Sequence, residues 1–125
     1  MWVGIFDQSA LMALGKGNWR LSWFVVRAQN DPAYHVFAPA LCLTAASAAR
    51  RGLGEHVLQL PGLQIADLGC ADAVAAGDLI ADGIEWQTAQ AIVSARPNAE
   101  WPSGRPILTS RPELYKRRGV RTIAF

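Results

Sequence analysis

With 125 residues, 51% of them apolar, 18% charged and a formal charge of +2 at pH 7, the chain can bury one core without disulfides or structural metal. The balance is too even to declare a strongly acidic or basic partner, while so apolar a small chain predicts a covered face and hence a homodimer. The longest apolar stretch, VFAPALCLTAASAA, is too short to span a bilayer, contains a proline and is bounded by His35 and Arg50, so no membrane partner is expected.

The opening WVGIF is β-rich and apolar throughout, as a strand covered on both faces should be, and Asp7 is placed to cap a helix over DQSALMAL. No basic leader precedes it, so neither a signal nor a transit peptide is expected and the location predicted is cytoplasmic. GKGN breaks that helix, and WRLSWFVVRAQ sets apolar residues at helical spacing for a second one. NDP is a turn, YHVFA a short strand, and PALCLTAASAARRGLG a helix with Pro in its first turn and Gly at its end. EHVLQL adds a turn or two before PG, and LQIADL reads as a third strand. Two helices follow, over ADAVAAGDLIADG and WQTAQAIVSARP, separated by Gly83; then RPILTS as a fourth strand, RPELYKRRG as a short helix and VRTIAF as a fifth strand. Strands alternating with helices predict an α/β fold with a largely parallel sheet covered on both sides, and function gathers at the carboxyl ends of such strands. The first and fourth strands deliver Asp7 and the segment Thr109-Ser110-Arg111 to those ends.

Cys42 and Cys70 lie far apart without CxxC spacing, and His35 and His56 have no companion at ligand spacing, so both thiols read as reduced core residues and no zinc or redox motif is supported. Charge is uneven along the chain. Residues 67 to 85 hold Asp67, Asp72, Asp78, Asp82 and Glu85 without a base, whereas residues 96 to 125 hold seven bases against Glu100 and Glu113. This asymmetry fits two solvated faces, a nucleic-acid surface or a self-complementary dimer.

From FDQSALMAL through APALCLTAASAAR and AAGDLIADGIEWQTAQAIVSA to ILTSRPELY and the final strand, the chain resembles PIN-domain proteins, especially the small VapC-like toxins of bacterial toxin–antitoxin pairs. The likeness covers nearly the full length and rests on the opening strand-Asp-x-Ser, the Pro-led helix after the second strand and the closing LTSxPELY…GV. It implies a single PIN-like domain over residues 1–125, a three-layer α/β/α sandwich with a mostly parallel, about five-stranded sheet. PIN domains generally cut RNA with Mg²⁺ or Mn²⁺ held by clustered carboxylates, whose oxygens suit hard divalent ions.

On this resemblance the first acid falls on Asp7 and the small hydroxyl position on Ser9, but the other acidic positions fall on Ala45, Thr88 and Arg111. Glu85, one helical turn before Thr88, shares its face, and Thr109 lines the same strand end. A fixed cation repels a divalent metal, so Arg111 is expected to pair with Asp7 in the metal's place; the plainer reading makes Asp7 a helix N-cap and Arg111 a solvated first-turn residue. The expectation is a degenerate domain that has lost metal-dependent ribonuclease activity, needs no cofactor, and works by binding itself, an antitoxin-like protein or RNA. Five tryptophans favour protein contacts, with Trp2 and Trp86 expected in the core and Trp101 and one of Trp19 or Trp23 exposed. Arg105, Lys116, Arg117 and Arg118, with Arg96 and Arg121, are the candidate phosphate contacts. The alternative is an active Mg²⁺- or Mn²⁺-dependent endoribonuclease with an unusual site centred on Asp7.

Overall fold

The computed structural model describes residues 1–125. Strand β1 (Trp2–Phe6) leads through Asp7 into α1 (Gln8–Gly15) and α2 (Trp19–Asn30); β2 (Tyr34–Pro39) is followed by α3 (Ala40–Ala49) and α4 (Leu53–Leu58), and β3 (Leu63–Ala66) by α5 (Cys70–Ala81) and α6 (Trp86–Ala95). β4 (Ile107–Leu108), a 3₁₀ turn (Pro112–Tyr115) and β5 (Thr122–Ile123) complete the chain. The helix expected to run from Pro39 to Gly54 is divided: Pro39 closes β2, Arg50 is extended, and Gly52, at φ 85°, turns the chain into α4.

All five strands are parallel in the order β3-β2-β1-β4-β5. The chain steps outward from β1 to β2 and β3 and then returns past β1 to β4; α2 packs on β2 and β3, α6 on β1 and β2, and α5 packs on α6. Side chains mark the two layers. Trp2 stacks on Phe24 of α2 with ring centroids 4.3 Å apart, while Phe37, which points from the opposite side of the sheet, lies under the Arg105 guanidinium that bonds to Ser94 of α6. The architecture is thus an α/β sandwich of three layers, as expected.

Ile5, Phe6, Ile107 and Leu108 are fully buried at the centre of the sheet, with Leu11, Leu21 and Ile92 covering them from the two helical layers. Gln90 is buried too, and is satisfied: Oε1 accepts from the Leu41 N–H and Nε2 donates to the Ala66 carbonyl, which ties α6 to the carboxyl ends of β2 and β3.

Two glycines separate close approach from open surface. A Cβ on Gly62 would clash with the Val25 carbonyl oxygen, so the backbone of α2 would have to move, whereas one on Gly77, inside α5, would meet nothing within 4 Å. Gly62→Ala is expected to cost about 1–3 kcal/mol as an overpacked contact. Gly77→Ala should stabilise by roughly 0.5–1 kcal/mol through helix propensity. Urea unfolding of the two variants against the parent checks both signs.

Candidate functional site

The strand order reverses between β1 and β4, and in open α/β sheets the crevice outside such a point is the natural place for a site. Here Asp7 follows the last residue of β1 and Thr109 the last of β4, and the Asp7 N–H meets the Leu108 carbonyl at 3.5 Å. A cavity of about 170 Å³ opens above them, walled by Asp7, Gln8 and Ser9 on one side, Cys42, Gln87 and Thr88 on another, and Arg111 and Tyr115 over the top. Glu85 stands at its rim.

Asp7 is 3% exposed, and both of its oxygens are occupied. Oδ1 accepts from the Ser9 hydroxyl at 2.6 Å and from the Ala10 N–H at 3.0 Å, which is N-cap geometry for α1. Oδ2 accepts from the Tyr115 hydroxyl at 2.7 Å. Ser9 Oγ in turn accepts from the Ser110 N–H at 3.0 Å and lies 3.3 Å from Thr109 Oγ1, which itself accepts from the Arg111 N–H at 2.9 Å. Since the Ser9 proton goes to Asp7, the Thr109 hydroxyl is the donor of the 3.3 Å contact. Ser9 therefore has no lone pair free for nucleophilic attack, and the chain Tyr115–Asp7–Ser9–Thr109 is a closed, satisfied network that ties β1, α1, β4 and the 3₁₀ turn together.

The expected Asp7–Arg111 ion pair is not formed. Arg111 turns outward with its side chain 55% exposed and its Nε 3.4 Å from Glu113 Oε1, and the donor on Asp7 is instead a neutral phenol. An arginine that begins a turn with its neighbour two residues on can reach a solvated carboxylate at little cost, whereas entering the Asp7 site would strip its hydration. The plainer reading of both residues holds: Asp7 caps α1, and Arg111 is a solvated residue just ahead of the 3₁₀ turn.

Ala45, expected to bring a methyl group to the site, is buried but does not line the cavity; Cys42, one turn earlier on α3, does. Thr88 is 6% exposed and lines the wall as expected, and Glu85 accepts from Gln87 Nε2 at 2.7 Å. Arg105 leaves the set of candidate phosphate contacts: it is 9% exposed, both Nε and Nη2 donate to the Ser94 carbonyl, and its guanidinium lies over the rings of Phe37 and Trp101. Burial lowers its pKa, partly opposed by Glu100 and Asp72. Lys116 and Arg117 are exposed and Arg118 half-buried. Two further expectations are corrected: Cys70 is exposed at the start of α5, and Trp86 is exposed at the start of α6, because each opens a helix on its outward face. Trp101 is half-buried, drawn against His35, Phe37 and Arg105.

Burial pushes the Cys42 thiol up, with the Asp7 charge adding to the rise, so this thiol stays protonated and inert while its Sγ donates to the Gln87 carbonyl. The Tyr115 phenol is held far above its ordinary range, first by burial and then by the charge and hydrogen bond of Asp7, with Arg111 opposing. Neither Tyr115 nor Cys42 was singled out as a site residue in the sequence. The signal for Tyr115 is its place at the end of ILTSRPELY, the one apolar-bodied hydroxyl just beyond the fourth strand.

Mg²⁺, the ion the resemblance implies, takes near-octahedral oxygen coordination, usually from one or two carboxylates with waters completing the shell. No group of three or more His, Cys, Asp or Glu comes together in the structure, Asp7 is the one carboxylate in the buried wall, and its Oδ2 accepts from the Tyr115 hydroxyl. No helix is long and apolar enough to cross a membrane. Comparison with known proteins finds no family model and no curated protein that matches the chain.

The raised phenol has a consequence at alkaline pH. Because its folded-state value lies above the ordinary tyrosine value of 10, the contribution to stability is complete below pH 10 and declines as pH rises beyond it, since the unfolded chain ionises first. Ultraviolet titration should show one of the two tyrosines ionising only as the protein unfolds, and that late step should be missing in Tyr115→Phe. Reversible ionisation of both tyrosines in the folded protein would contradict the geometry.

Proposed function

We propose that the chain is a PIN-like domain whose acidic centre has become a structural joint, and that it acts by binding protein and not by metal-dependent cleavage of RNA. The observation that carries this reading is the Tyr115 hydroxyl on Asp7 Oδ2. Water activation by a divalent ion needs a carboxylate free to coordinate and further acids to complete the shell. In this chain the one buried acid accepts from three internal donors, two on Oδ1 and one on Oδ2, and Ala45, Thr88 and Arg111 stand where the resemblance implies the remaining acids.

Protein is favoured over RNA by the surface. Arg105 is withdrawn into the fold, while Trp19, Trp23 and Trp86 lie exposed, and large aromatic side chains left in water are the usual anchors of a protein contact. The cavity over Asp7 is too small and too committed to serve as the main recognition surface.

Titration with Mn²⁺ by calorimetry, beside a cleavage assay on mixed single-stranded RNA, tests the proposal. No heat of binding up to millimolar metal and no cleavage that depends on it are expected, with Asp7→Asn indistinguishable in both assays. Micromolar binding that vanishes in Asp7→Asn, together with metal-dependent cleavage, would overturn it in favour of an active endoribonuclease.

A further inference from the structure

A second and larger cavity, of about 990 Å³, opens at the amino ends of the strands, away from Asp7. That volume is at the upper end of the roughly 300–1,000 Å³ usual for small-molecule sites. No helix lines it. Val3, His35, Phe37 and Gln64 face it from the sheet, where Val3 pairs with His35 and Phe37 with Gln64, and the loop over residues 100–104 roofs it. The roof is held in place from within. The Trp101 N–H donates to Asn98 Oδ1 at 2.7 Å, the Trp101 carbonyl accepts from the Asn98 and Gly104 N–H groups, and Gly104 turns at φ 71° so that the Arg105 N–H reaches the Ala95 carbonyl. Trp101 then meets His35 and Phe37 edge to face, each pair of ring centroids 5.7 Å apart, and with Trp2 and Pro106 these rings make an apolar, mostly aromatic wall.

Two guanidinium groups border this wall. Arg105 lies over Phe37 and Trp101, 4.7 and 5.6 Å from their centroids, and Arg121 stands in the lining with one contact of 3.4 Å from Nη2 to the Ser103 carbonyl. The protein's two ion pairs join Arg27 to Asp31 and Arg111 to Glu113, so neither group has a carboxylate within ion-pair distance. Glu100, the one acid in the lining, and Asp72 on α5 act on Arg105 from farther off, which leaves Arg121 as the uncompensated charge. A cationic ligand is disfavoured, since the rings that would cage it already lie against Arg105. A single guanidinium with free donors matches the two oxygens and single charge of a carboxylate, and the aromatic wall matches a flat ring. We propose that this cavity binds a small planar aromatic carboxylate, with its ring against Trp101 and His35 and its carboxylate on Arg121.

The cavity lies at the other end of β1 from Asp7, so its ligand and the closed acidic centre are tested separately. NMR of the indole N–H signals, assigned by replacing each tryptophan in turn with phenylalanine, reads the five tryptophans one by one. Added β-naphthoate should move the Trp101 and Trp2 signals in a saturable way and leave those of Trp19 and Trp86, exposed on α2 and α6, in place. Arg121→Gln, at an exposed side chain, should weaken β-naphthoate roughly tenfold and leave unchanged the neutral β-naphthamide, a weaker ligand of the parent. Trp101→Leu should weaken both, and circular dichroism checks that each variant is folded. No saturable shift at millimolar β-naphthoate, shifts at Trp19 or Trp86 in place of Trp101, or equal binding of acid and amide with Arg121→Gln without effect would each overturn the proposal. So would a Trp101 signal that moves with protein concentration alone, because a second copy would then cover the cavity.

Discussion

A carboxylate buried at the carboxyl end of the central strand is the constraint around which the upper edge of this protein is arranged. An ionised Asp7 removed from water would be severely destabilising without partners, and the fold supplies three: its own helix N-terminus, the hydroxyl two residues on, and a phenol 108 residues away. The first two are local and follow from a capping sequence. The third requires β4 to lie beside β1 and the 3₁₀ turn to fold back over both, so the hydrogen bond from Tyr115 couples the last quarter of the chain to its first strand.

Topology explains why the joint occurs where it does. With β1 at the centre and the strand order reversing beside it, the ends of β1 and β4 are left without a crossover helix directly between them, and a crevice results. In a metal-dependent enzyme such a crevice concentrates acids. Here it gathers hydroxyls, with Ser9 and Tyr115 donating to Asp7 and Thr109 joined to Ser9, a network that stiffens this corner although Gln87 Oε1 in the same wall has no partner.

Much of the framework was legible in the sequence, since buried parallel strands such as WVGIF and YHVFA read as short apolar runs and the breaks between helices carry Gly, Asn and Pro. Asp7 was legible as a cap and as the end of a strand for the same local reason. What local pattern could not convey was which distant side chain meets it. Arg111 lies nearer in sequence to Thr109 and bears the opposite charge to Asp7, yet a guanidinium prefers a solvated partner two residues away, while a tyrosine carries its own apolar body into the core and delivers a neutral donor. Arg105 was misjudged in the opposite sense. Its place in a basic stretch suggested solvent, but aromatic rings at Phe37 and Trp101 and the free carbonyl of Ser94 make a pocket that holds it inside. Cys70 and Trp86 show that residue type alone misleads at the first residue of a helix, which projects to solvent even when, as in α6, the turns that follow are buried.

A closed centre and open flanks thus divide the molecule, with the stabilising interactions drawn to the carboxyl ends of the strands and the unsatisfied apolar surface left on the outer helices. The Asp7–Tyr115 hydrogen bond is the contact on which the proposed closure of this centre rests, and a double-mutant cycle of Asp7→Asn and Tyr115→Phe, read by urea unfolding, measures it directly. A bond to a charged acceptor predicts a coupling energy of about 1.5–3 kcal/mol. Losses that add to within about 0.3–0.5 kcal/mol would show that the two groups act independently, and would contradict a carboxylate held closed by the phenol.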